Sequence, residues 1–226
     1  MTNNPKSKIC IAFLTLGAAI YAPQALAFGL GDLLGGSKTS SASAVDPDTF
    51  IKSALAAEQL MNSSVDLLAG SLVSKTKLAE IEAKKKSANA ETDPKEKEAK
   101  LSEVKKSEVA AVNEALNDEK AKSDIENMDS QKKQQLGAAA FNFMLALIQD
   151  KDLIGQTSGL IRSLSGNPMN IVKLGNIKDV ASSLSNQISS ASQIATKMPT
   201  IFSAVGVEAP TNKDDKSKVQ VATTNE

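Results

Sequence analysis

The chain has 226 residues, 26 basic and 26 acidic side chains, one cysteine, and neither histidine nor tryptophan. Without histidine it lacks the commonest general base and the usual nitrogen ligand of zinc and copper, and its even charge balance leaves no field to steer nucleic acid. Aromatic residues make up only 3% while Ala, Leu, Lys, Glu and Ser are abundant, which favours helices over a sheet.

The N-terminus has a positive start at Lys6 and Lys8, with no acid before Asp32, and then an apolar run from Ile9 to Tyr21. Pro23 and Ala25-Leu26-Ala27 follow, the latter in the A-x-A form that signal peptidase accepts. The run is well short of the roughly 20 residues a membrane span needs, so the pattern predicts a cleaved signal peptide over residues 1–27, with Phe28 first in the mature chain. It resembles bacterial Sec-type signals, and the resemblance, confined to residues 1–27, implies a periplasmic or secreted protein. Cys10 comes too early in the run to be a lipidation site, so the mature chain is expected to carry no cysteine, no disulfide and no lipid anchor. Cleavage takes away two lysines and no acids, leaving 24 basic against 26 acidic side chains, a net −2.

Residues 28–45 open with the apolar, glycine-broken Phe28-Gly29-Leu30-Gly31-Asp32-Leu33-Leu34 and continue as a Ser/Thr/Ala linker. They read as a flexible segment ahead of a single helical domain over residues 46–208. The first helix has a clear start: Asp46 suits the N-cap, Pro47 the first helical position, and Val45 a staple against Phe50. Phe50, Ala54, Ala57, Met61, Val65, Leu68 and Leu72 then recur at spacings of four and three, the signature of one buried face. Leu78 and Ile81 extend this stripe, with Gly70 as the point where a kink or break would fall.

From Glu82 to Lys100 no large apolar side chain occurs, while Glu80–Lys84, Glu82–Lys86 and Glu96–Lys100 have the favoured acid-before-base order. Asp93-Pro94-Lys95-Glu96 is a second helix start in capping-box form. Together these predict a long, charged, solvent-exposed helical hairpin turning near Ala90–Asp93. Lys84, Lys85 and Lys86 sit among glutamates and read as a solvated face. The return helix carries Leu101, Val104, Val112, Ala115 and Leu116, with Glu108 interrupting the stripe. A restart is expected at Ser123 or Asp129.

Leu136 to Ile148 is apolar nearly all round, which predicts the central core helix. Asp150 and Asp152 read as a helix-end turn, because the later ligands of a calcium loop are missing. Leu153, Ile154, Leu160, Ile161 and Leu164 add to the core, and Arg162 beside them reads as a snorkelling or capping side chain. Asn167-Pro168 restarts a turn, and after Gly175 the residues Ile177, Val180, Leu184, Ile188, Ala191, Ile194 and Met198 define a final helix stopped by Pro199. Ile201, Phe202, Val205 and Val207 are expected to fold back as a cap, and residues 209–226 to form a disordered tail.

The expected fold class is therefore all-α, an antiparallel helical bundle with a charged hairpin. No catalytic, cofactor-binding or metal-ligating residue can be assigned. Ser102-x-x-Lys105 lies on a solvated helix with no companion motif, and the glycines of residues 29–36 lack the strand and lysine of a phosphate loop. The composition favours a non-catalytic exported protein of the envelope or secretome that binds a protein partner or self-assembles. A membrane-active or lipid-binding helical protein is the alternative, in which Leu136 to Ile148 or Phe28 to Leu34 would meet lipid. An enzyme is disfavoured, nucleic acid is not expected as a partner, and no cofactor is expected.

Overall fold

A computed structural model describes residues 46–166 and 170–215. Residues 1–27, expected as a signal peptide, the apolar segment from Phe28, the expected Val45 staple, the expected turn at Asn167-Pro168 and residues 216–226 lie outside the described residues. Seven helices and no strand occur among the described residues, so the fold is all-α. They are α1 (Pro47–Leu72), α2 (Lys75–Asn89), α3 (Pro94–Asn117), α4 (Ala121–Glu126), α5 (Ser130–Ser165), α6 (Ile171–Ala195) and α7 (Met198–Val205).

α1 begins as its sequence dictates. Asp46 Oδ2 accepts from the Thr49 backbone N–H at 2.9 Å and from its hydroxyl at 3.0 Å, and Pro47 occupies the first turn. The helix runs through Gly70 without a break and ends at Leu72. Val73 is extended and Ser74 caps α2, accepting from Lys77 N at 3.4 Å. The interruption is thus set by a serine able to cap a new helix rather than by the glycine.

α2 and α3 pack against each other across residues 90–93, burying Ile81, Ala88, Val104 and Ala111 as a small core of their own. Asp93 Oδ1 accepts from Lys95 N and Glu96 N at 2.9 Å each. The expected capping box is closed differently: the Asp93 N–H donates to Glu91 Oε1 at 3.3 Å, not to Glu96. Glu91 also accepts from the Thr92 N–H and pairs with Lys100, and these bonds hold its carboxyl down to about 2. α2 and α3 do not stand wholly in solvent, since α3 lies along α1 and ion pairs tie both helices to it.

The restart after α3 uses Asp129, whose Oδ1 accepts from Lys132 N at 2.8 Å; Ser123 lies inside α4. α5 then runs unbroken for 36 residues, about 54 Å at 1.5 Å per residue. Asp150 and Asp152 are in mid-helix, which corrects their reading as a helix-end turn. Leu153, Thr157, Leu160 and Leu164 keep a buried face going past Gly155 and Gly159, and that packing outweighs the low helix propensity of glycine.

α5 carries the core. Around its first half Met61, Val65, Leu68, Phe141, Phe143, Leu147, Ile194 and Ile201 form one buried cluster, and around its second half Phe50, Ala57, Leu153, Leu160, Ile177 and Leu184 form another. Each fully buried side chain of this size is worth about 1.5–3 kcal/mol relative to exposure, so the seam of α1, α5 and α6 dominates the fold. α6 starts at Ile171, so Gly175 is inside it and not ahead of it. Pro199 does not merely stop a helix; it stands in the first turn of α7, where a missing N–H is harmless. α7 returns over the core with Ile201 and Phe202 buried and ends at Gly206, whose φ of 70° is a left-handed conformation suited to glycine.

The tail departs from expectation over residues 210–215. Pro210 is buried, Gln149 Nε2 donates to the Lys213 carbonyl at 3.3 Å, and Lys213 Nζ meets Asp152 at 2.8 Å. A buried proline and a lysine paired with a carboxylate hold this stretch although it reads as polar.

Candidate binding cleft

A cleft of about 1110 Å³ opens between α1, α3 and α6. Each wall follows from helical spacing: Glu58, Asn62 and Val65 on α1, Leu101, Lys105 and Glu108 on α3, and Ser183, Gln187 and Ser190 on α6 lie on one side of their helices at steps of three and four. The floor is apolar, formed by Met61, Val65, Phe143 and Ala191. Serine and asparagine along α6 give that wall hydrogen-bonding groups without charge.

The α1–α3 wall is electrostatic. Lys85 reaches across from α2 to Asp66 at 3.2 Å and to Glu108 at 3.7 Å, and Lys105 pairs with Glu58 at 3.1 Å. Burial works against the charge of Lys85, but Asp66 and Glu108 outweigh it and raise its ammonium above the usual value. Glu108 is only 7% exposed. Burial, then the facing Asp66 carboxylate, push it up to about 7, with Lys85 opposing. Of the three consecutive lysines, Lys84 and Lys86 are solvated while Lys85 belongs to the cleft.

Sequence reading treated Glu108 as a flaw in an apolar stripe. That misfit, between Val104 and Val112, was the available sign that a charge is held indoors. Asp66, Glu58 and Gln187 carried no comparable signal, since their roles depend on which helices meet. Ser102 lines the cleft, and Lys105 is committed to Glu58, so the pair has no nucleophile–base geometry. Arg162 is exposed in the last turn of α5, where a cation complements the helix C-terminus. No group of three or more metal-ligating side chains occurs among the described residues, and no helix among them is long and apolar enough to cross a membrane.

No protein-family model, curated protein or solved structure matches the chain.

Proposed function

We propose that this chain is a non-catalytic helical protein, exported and freed of residues 1–27, that holds a helical segment of a protein partner in the cleft between α1, α3 and α6. The observation that carries this reading is the cleft itself. An apolar floor between three helices, with a hydrogen-bonding wall on one side and an ion-paired wall on the other, suits an amphipathic helix about 10 Å across. Its volume of about 1110 Å³ exceeds the ~300–1000 Å³ of small-molecule pockets. The chemistry of the lining supports binding over catalysis: Glu58, Asp66 and Glu108 are paired with lysines, and the chain has no histidine to act beside them.

Two measurements test the reading. Mass spectrometry of the exported form should find Phe28 at the N-terminus, and intact residues 1–27 on the functional protein would overturn the export claim. In pull-downs from envelope extracts, a protein retained by the wild type should be lost when Ser183→Trp fills the cleft from its exposed rim. Ser185→Trp, on α6 but away from the lining, should retain it. Retention of extracted lipid by the wild type and its loss in Ser183→Trp, with no protein captured, would favour the lipid-binding alternative.

A further inference from the structure

Asp150 is fully buried, and neither carboxyl oxygen has a hydrogen-bond partner among the described residues. It lies on α5 where the two core clusters meet. On α5 it lies between Leu147 of one cluster and Leu153 of the other, and on α6 the same change of cluster falls between Leu184 and Ala191, a stretch that contains Gln187. Gln187 Nε2 is likewise buried and without a partner. A carboxylate in such a place would bear the cost of a desolvated, uncompensated charge, whereas a carboxylic acid bears far less.

We propose that Asp150 makes closure of the α1–α5–α6 seam pH-dependent: protonated, it is a neutral group in the core, and ionised, it sets a bare charge against Glu58 and loosens the three helices. The charged groups on the elements packed against it are few. From α1 comes Glu58, whose carboxylate already pairs with Lys105 of α3. α6 carries no charged residue between Asp179 and Lys197. The C-terminal segment brings Lys213, but its ammonium is bound to Asp152. On α5 itself Lys151 is exposed. Among the described residues no cation therefore pairs with Asp150, and burial followed by repulsion from Glu58 pushes it up to about 7.

The sign follows from proton linkage. An ordinary aspartate in the unfolded chain titrates near 3.9, so between about pH 4 and pH 7 the folded state holds a proton that the unfolded state has lost. Stability is then greatest in acid, falls as pH rises through that window, and levels off above it. Glu108, also raised to about 7, acts in the same direction.

Urea unfolding of the full exported chain between pH 5 and 8.5 tests this. From one such group the unfolding constant should rise about tenfold per pH unit between pH 5 and 7. Asp150→Asn should remove that contribution, and Glu108→Gln should leave it in place. A wild-type slope in Asp150→Asn would overturn the proposal. Should that variant fail to fold, the carboxyl carbon signal of Asp150 in the wild type decides: a midpoint near 7 supports the switch, and one below about 5 defeats it.

Discussion

Replacing Phe143 with alanine is expected to cost about 3–5 kcal/mol, the usual effect of removing a buried phenylalanine ring. Phe143 has 0% exposure and belongs to the cluster that draws side chains from α1, α3, α4, α5, α6 and α7. Its ring is shared by helices that are far apart in sequence, so no single neighbour can move in to fill the space. Leu147→Ala, one turn further along α5, should cost about 2–5 kcal/mol for the same reason. Leu55→Ala is the control, because Leu55 is 52% exposed on α1 and its loss opens no cavity. Urea unfolding followed by helical circular dichroism should separate the first two variants clearly from the third. Equal midpoints for Phe143→Ala and Leu55→Ala would mean that α5 is not the centre of the fold.

The second large effect is overpacking at Gly137. A Cβ placed there would meet Val207 Cγ2 at 3.0 Å and Val205 Cγ2 at 3.2 Å. Glycine is needed because α7 and the residues after it come down directly onto the α5 backbone. Ala in its place forces small shifts of two valine methyls, while Val or Leu must push the segment away. Gly137→Leu is therefore expected to cost about 1–3 kcal/mol. The loss should begin locally, with faster hydrogen exchange over residues 198–207 than over α1. Val207→Ala combined with Gly137→Ala should recover part of the loss seen with alanine alone, since it removes the nearest clash. Failure of that rescue would place the difficulty elsewhere than in this contact.

What could be read from the sequence divides along physical lines. Local chemistry was legible: Asp46-Pro47 and Asp93-Pro94 start helices because a carboxylate cap and a proline need nothing beyond the next few residues. The strong stripes were legible too: Phe50 to Leu68, most of Leu136 to Leu147 and the returning Ile201 and Phe202 are buried as expected, while Leu72 and Ile148 at the stripe ends are partly buried. Misreadings arose where tertiary packing decides. Asp150 looked like punctuation because an aspartate beside Lys151 and Asp152 ordinarily faces water. Its burial depends on α1 and α6 closing over α5 at that level. Gly175 was expected ahead of the last long helix but lies inside it, carried, like Gly155 and Gly159 in α5, by the apolar residues around it. The cleft was illegible for a related reason. Its floor and two walls come from helices widely separated in the chain, and only Glu108, a charge where the stripe wanted a valine, hinted at it.

The two raised carboxyls give the cleft and the core a common dependence on acidity. Glu108 faces the cleft between Asp66 and Lys85, and Glu58, which lines the same cleft, is the charge that acts on Asp150. A segment seated in the cleft would cover Glu108, so binding should be tighter at pH 6 than at pH 8 if it adds no cation of its own.

The most direct test of the binding claim is site-specific photocrosslinking in living cells, with the reactive side chain at Ser183 on the cleft wall and, as control, at Ser185 on the exposed side of α6. The account predicts a discrete protein adduct from position 183, a partner or a second copy of this chain, and none from position 185. Adducts of the same size and yield from both positions, or none from either while the protein remains folded and exported, would contradict it.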